Sequence, residues 1–171
     1  QGEVLADLFE GDGQMVFRSS TKLSPVGRAV DHARDLISWR DQVDAVVVSV
    51  FSGRAFALAD ESLTLARALK LPSIAWLHGG DLPSLGMQHP RWARRVLRTA
   101  GRVVAPTAYL ARWAQESVDA AVVIPNVLDL DDYAHRERDR LRPRLLWMRT
   151  FHELYDPACA VRVLAELRSL G

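Results

Sequence analysis

Asp44-Ala45-Val46-Val47-Val48-Ser49-Val50-Phe51 is apolar almost throughout and dominated by valine. β-Branched side chains are stiff at χ1 and pack well on a pleated surface, so this stretch reads as a strand. Its apolar residues run on rather than alternate with polar ones. That pattern belongs to a strand covered on both faces, as in a parallel sheet flanked by helices. The stretch is therefore expected to be a central strand of an α/β protein.

The segments on either side repeat the theme. Towards the C-terminus come a helix over 54–70, a strand Ser73 to Leu77 and a helix over 90–100. A strand Arg102 to Ala105, a helix over 106–116 opened by Pro106, and a strand Ala120 to Ile124 follow. Towards the N-terminus, Pro25 opens a helix that runs to about Trp39, with Val30, Ala33, Leu36 and Ile37 on one face. Proline suits a helix start because its missing N–H would be unpaired there. Met15 to Ser19 reads as a strand. Glu3 to Glu10 reads as a helix stopped by Gly11 and Gly13, since glycine tolerates the left-handed conformation at a helix end. Alternating strands and helices predict a Rossmann-like parallel sheet with helices on both faces.

After Ile124 the texture changes. Residues 125–142 are polar and highly charged, with Arg136-Glu137-Arg138-Asp139-Arg140 at their centre, and read as an interdomain linker. A new strand, Arg144 to Met148, and a helix over 157–170 follow, the helix apolar at Ala160, Val161, Val163, Leu164 and Leu167. The expected organisation is a first domain over 1–124, a linker over 125–142 and the start of a second domain over 143–171. One strand-helix unit cannot bury its own apolar face, so the second domain is expected to continue beyond Gly171. The chain opens on Gln1 rather than Met and reads as cut from something longer.

Composition narrows the function classes. Hydrophobic residues make up 49% of the 171 and charged residues 25%, the mix of a folded domain rather than a disordered one. A net charge of +1 lacks the basic excess of a nucleic-acid tracker, and no nucleic-acid partner is expected. Cys159 is the single cysteine, so neither an intrachain disulfide nor a cysteine-based zinc site can form. The lone thiol fits a reducing compartment, and a cytoplasmic location is expected. The apolar run Ala45 to Phe51 is far too short to span a bilayer as a helix.

In a parallel α/β sheet, ligands bind at the carboxyl ends of the strands, so the loops leaving the strands hold the candidate residues. His78-Gly79-Gly80-Asp81 follows one strand. Its glycines let a ligand approach the backbone, its histidine donates or accepts near neutral pH, and its aspartate accepts from a hydroxyl or acts as a base. The same four residues also suit a tight turn with a capping aspartate. Ser52-Gly53-Arg54 suits helix capping by Ser52, or an anion held by backbone N–H groups and Arg54. Thr107 reads as a helix cap and Asn126 as an Asx turn. Arg149, beside His152 and Glu153, suits an anionic ligand or an incidental surface ion pair. Arg91, Arg94, Arg95, Arg98 and Arg102, with Trp92, Val96 and Leu97 interleaved, form either a solvated helix face or a face for anionic lipid head groups. On the lipid reading the protein is peripheral on the cytoplasmic face of the inner membrane.

The order of these pieces resembles the retaining glycosyltransferases of family 4, which have the two-domain GT-B fold. The resemblance rests on His78-Gly79-Gly80-Asp81, on Val103-Val104-Ala105-Pro106-Thr107-Ala108-Tyr109-Leu110, and on Val123-Ile124-Pro125-Asn126-Val127-Leu128-Asp129 with Tyr133 after it. A strand ending in arginine, Leu145 to Arg149, completes it, and the likeness extends over nearly the whole chain. It implies transfer of a sugar from a nucleotide-sugar donor to an acceptor hydroxyl on a carbohydrate or lipid-linked acceptor, in glycan, polysaccharide or glycolipid synthesis. The donor is a substrate; neither a cofactor nor a metal is implied. His78 and Asp81 would be the catalytic positions. Arg149, His152, Glu153 and Asn126 would face the donor, with Arg149 on its diphosphate. Gly79, Gly80, Ser52, Arg54 and Thr107 would line the acceptor side.

The chain departs from the family in three places. Where many members have a lysine five or six residues after the arginine, this chain has Leu154 and Tyr155. The paired-glutamate motif of the donor domain is absent, and so are the first strand and its glycine-rich loop. The chain by itself is therefore expected to be inactive. Two other readings share the same residues: a nucleotide-sugar epimerase of the same fold, and a non-catalytic nucleotide- or carbohydrate-binding module.

Overall fold

The computed structural model describes residues 2–20, 22, 24–128, 137 and 144–170. The chain divides into two compact units, 1–128 and 129–171. Most of the expected linker, with Asp129 and Tyr133, lies outside the described residues.

The first unit begins with helices α1 (Gly2–Gly11) and α2 (Pro25–Trp39). Then come β1 (Val46–Val50), α3 (Arg54–Ala68), β2 (Ser73–Leu77), α4 (Leu82–Gln88), α5 (Pro90–Thr99), β3 (Arg102–Ala105), α6 (Ala108–Gln115) and β4 (Val122–Val123). The strands form one parallel sheet in the order β1-β2-β3-β4. Val48 stands opposite Ala75, Val50 opposite Leu77, and Ala75 opposite Val103. The expected α/β fold with a Rossmann-like parallel sheet is present.

Side chains alternate across a strand, so this register places Val48, Val50, Ala75, Leu77, Val103 and Ala105 on one face. All six join the main core, with Phe56 and Leu63 from α3, Leu82 and Leu85 from α4, Val96 and Leu97 from α5, and Leu110 and Ala114 from α6. Right-handed crossovers that always step in the same direction put their helices on the same face, which is why one core gathers them all. The opposite face carries Val47, Ser49, Trp76 and Val104. It is met at one end by α1, whose Gly2 sits beside the hydroxyl of Ser49.

Several elements of the first unit differ from the sequence expectation. Val46–Val50 reads as a central strand but is the edge of the sheet among the described residues, with Val47 43% exposed. Met15 to Ser19 forms no strand, because no neighbouring backbone among the described residues completes a ladder with it. Side chains hold that segment instead: Arg18 pairs with Asp7 (2.6 Å) and Glu10 (2.7 Å), Ser19 donates to Asp35 (2.6 Å), and Phe17 packs on Trp39. The strand Ala120 to Ile124 shrinks to the two residues of β4. Helix α4 arises where no element is expected; Leu82, Leu85 and Gly86 bury one face of it at helical spacing.

Two devices fix the helix layer. Asp60 on α3 accepts from Trp92 Nε1 at 2.8 Å and pairs with Arg95, which ties α5 to α3. At the end of α3, Lys70 adopts a left-handed conformation (φ 60°), while Leu71 N–H donates to Ala66 (2.9 Å) and Lys70 N–H to Arg67 (3.0 Å). This six-to-one closure is usually made around glycine.

In the second unit, 144–148 is not a strand among the described residues, for the same want of a ladder partner. A 3₁₀ turn (Glu153–Tyr155) leads into α7 (Pro157–Ser169), capped by the Asp156 carboxylate, which accepts from Cys159 N–H at 3.1 Å. No residue of α7 is buried. No helix of the described residues is long and apolar enough to cross a membrane.

Candidate functional site

Because all four strands run parallel, their carboxyl ends share one edge of the sheet, and the loops 51–54, 78–81, 106–107 and 124–126 leave from it. His78 N–H donates to Val50 at 2.8 Å, and Ile124 N–H donates to Ala105 at 3.0 Å. The ladders thus continue one step past β2 and β4. The first of these bonds sets the loop after β1 beside the loop after β2.

His78 is the centre of this edge. It follows Trp76 at the two-residue period of a strand, so both rings lie on the same face of β2. The imidazole stacks on Phe51, with centroids 4.8 Å apart and planes 18° apart, and lies parallel to Trp76 at 6.4 Å. Only 8% of the residue is exposed, and burial holds its pKa below the ordinary 6.5 of imidazole. The ring is therefore neutral at pH 7, with one nitrogen to donate and one to accept. Neither nitrogen has a hydrogen-bond partner among the described residues. Trp76 Nε1 beside it is likewise buried without a partner. Phe51 and Trp76 were not among the sequence candidates; an aromatic two residues before His78 on the same strand was the signal.

The neighbouring residues leave room for a ligand. Gly79 has φ +84° and Gly53 φ +67°, and a Cβ at either would meet nothing within 4 Å. These are backbone conformations that a side chain strains, facing open space. Asp81 starts α4 but caps nothing, so its exposed carboxylate stands ready to accept. The capping expected of Ser52 does not occur: the cap position of α3 is Gly53, with no side-chain bond. Arg54, the first residue of that helix, is exposed and makes no ion pair among the described residues. Thr107, in contrast, accepts from Leu110 N–H at 3.3 Å and acts as the cap of α6. Asn126 is exposed on the coil after β4, with Gly80 similarly exposed between Gly79 and Asp81.

In the second unit, His152 and Glu153 line a cavity of about 370 Å³, with Phe151, Asp156, Pro157 and Ala158. Arg149 is not in its lining; the guanidinium lies 5.2 Å over the ring of Tyr155. Asp156 also pairs with Arg162 at 2.9 Å. Among the described residues no group of three or more His, Cys, Asp or Glu is placed to hold a metal ion.

No protein-family model matches the chain, and no curated protein is significantly similar to it in sequence.

Proposed function

We propose that the protein belongs to a sugar transferase that moves a glycosyl group from a nucleotide sugar to an acceptor hydroxyl, with the acceptor seated at the strand ends around His78. The observation that carries this reading is the buried, neutral, unpartnered imidazole stacked on a half-exposed Phe51. Sugar rings offer apolar C–H faces to an aromatic ring and hydroxyls to flanking polar groups. Phe51 supplies the first contact, while His78 and the free carboxylate of Asp81 supply the second. A neutral imidazole or a carboxylate accepts the proton of an attacking hydroxyl as it becomes a nucleophile. Arg54, beside the uncapped start of α3, favours an anionic group at the same edge. For the donor, Arg149 is the cation of the second unit that fits a diphosphate. Its guanidinium lies over the ring of Tyr155, one of the two positions where many members of the resembled family have a lysine.

One observation favours a second reading, a carbohydrate-binding module without turnover. The cavity beside α7 is lined by two carboxylates, Glu153 and Asp156, and by no lysine or arginine, which disfavours a diphosphate there.

Saturation-transfer NMR with free sugars, alkyl glycosides and nucleotide sugars tests the site. Sugars are expected to bind, and His78→Ala and Asp81→Ala each to weaken them at least about tenfold, the scale of one lost polar contact to a buried partner. Absence of sugar binding at millimolar concentration, or binding indifferent to both substitutions, overturns the reading. Acceptor-dependent release of nucleoside diphosphate by the protein separates transfer from binding alone; conversion of the nucleotide sugar to its epimer without an acceptor, the nucleoside diphosphate still attached, indicates the epimerase alternative.

A further inference from the structure

The five arginines over 91–102 do not form one uniform basic face. Arg95 is held by Asp60, and Arg98 donates through Nε to the carbonyl of Ser117 at 2.7 Å. Arg102 turns back on the carbonyl of Gly101 at 3.0 Å. These three guanidiniums already hold the helix layer or their own loop. Arg91 and Arg94 have no partner among the described residues, and they sit three residues apart on one side of α5. Arg112 on α6, outside the basic stretch, is also exposed and unpaired.

Arg94 and Arg112 line the same groove, an opening of about 590 Å³ between α4, α5 and α6. Its apolar lining includes Met87, Tyr109 and the half-buried Trp113. Met87 is 77% exposed and Tyr109 55%, large apolar groups that the fold leaves in water. Glu116 is the single carboxylate in the lining, against two arginines, and makes no ion pair with either. Two unpaired guanidiniums beside two protruding apolar side chains form an amphipathic surface rather than a solvated helix face.

We propose that this groove docks the protein onto an anionic phospholipid surface, with a head-group phosphate between Arg94 and Arg112 and with Met87 and Tyr109 entering the apolar side of the interface. Two arginines suit this role because a guanidinium pairs with phosphate through two parallel N–H bonds. Arg91 adds positive charge beside the groove. A nucleic acid would ask for a longer basic track than two residues, and the net charge of +1 does not supply one. The proposal stands independently of the sugar-transfer reading, since none of these side chains belongs to the His78 edge.

The test is co-sedimentation of the protein with phosphatidylcholine vesicles, with and without phosphatidylglycerol, at low and physiological salt. Binding is expected only to the anionic vesicles. The doubly substituted Arg94→Glu/Arg112→Glu protein is expected to lose at least about tenfold in partitioning, on the scale of basic residues near a charged bilayer. Met87→Ser/Tyr109→Ser should lose binding that survives at physiological salt, and Arg67→Glu, on the exposed side of α3, should bind as the parent does. Circular dichroism of each variant checks that its fold is intact. Equal binding to neutral and anionic vesicles, or anionic binding unaffected by the double reversal, overturns the proposal. So does full competition by millimolar glycerol phosphate, or tighter capture by polyglutamate than by vesicles.

Discussion

The imidazole of His78 lies nearly parallel to the ring of Phe51, 4.8 Å away, with Phe51 at the end of β1 and His78 at the end of β2. Adjacent parallel strands bring the two together, and the backbone bond from His78 N–H to Val50 fixes their offset. Phe51 is 46% exposed, so its outer part is open to a ligand. Phe51→Ala is expected to weaken sugar binding by about three- to tenfold, the worth of one aromatic contact. The melting temperature should move little, because a half-exposed ring buries limited area. Titration calorimetry and thermal melts of the same variant check both halves.

Acid should destabilise the first unit through two of its histidines. His32 and His78 are both held below the ordinary 6.5, chiefly by burial, and His32 additionally by Arg28. For such groups the unfolded chain binds protons more readily than the native one. Their contribution to stability is complete above about pH 6.5 and is lost as pH falls through the depressed native values. Urea midpoints measured from pH 8 to 5 should decline across this window. The decline should be shallower in His32→Gln, whose ring otherwise lies 3.1 Å from Ser62 Oγ.

Gly86 is where α4 and α6 touch. A Cβ there would lie 2.8 Å from Trp113 Nε1 and 2.9 Å from Cζ2, inside contact distance of a partly buried ring. Gly86→Ala is expected to destabilise by about 1–3 kcal/mol despite alanine's better helix propensity. Chemical denaturation measures the sign directly.

Lys70 offers the opposite case. Its left-handed backbone closes α3 with a side chain that disfavours the conformation. Lys70→Gly should raise stability by about 1 kcal/mol, because glycine reaches φ > 0 without the steric cost. A rise in the urea midpoint with no change in its slope checks this.

Much of this was legible in the sequence because local patterning decided it. The valine run at 46–50, Ser73 to Leu77 and Arg102 to Ala105 became parallel strands, and the helices expected over 25–39 and 90–100 began at Pro25 and Pro90 as read, whereas the helix expected to open at Pro106 starts at Ala108 behind its Thr107 cap. What failed was whatever depended on a distant partner. Met15 to Ser19 and Arg144 to Met148 have strand composition but no ladder neighbour among the described residues, and the valine run became an edge for the same reason. Helix α4 was hidden because Pro83 and Gly86 look like loop residues until Trp113 packs against the glycine. At the candidate site, His78, Gly79 and Asp81 could be read from one loop. The partnership with Phe51 could not, since it depends on strand order. Likewise, the arginine stretch did not reveal which side chains Asp60 and Ser117 would occupy, nor that Arg112 would join Arg94.

The most direct measurement is the ¹⁵N chemical shift of the His78 imidazole, followed by long-range ¹H–¹⁵N NMR while sugar is added to the protein at pH 7. A sugar seated at the strand ends hydrogen-bonds the neutral ring. Both His78 nitrogens should therefore shift saturably, with the same affinity that Phe51→Ala weakens, while His89 stays in place. Saturable sugar binding that leaves the His78 nitrogens unmoved would contradict the account.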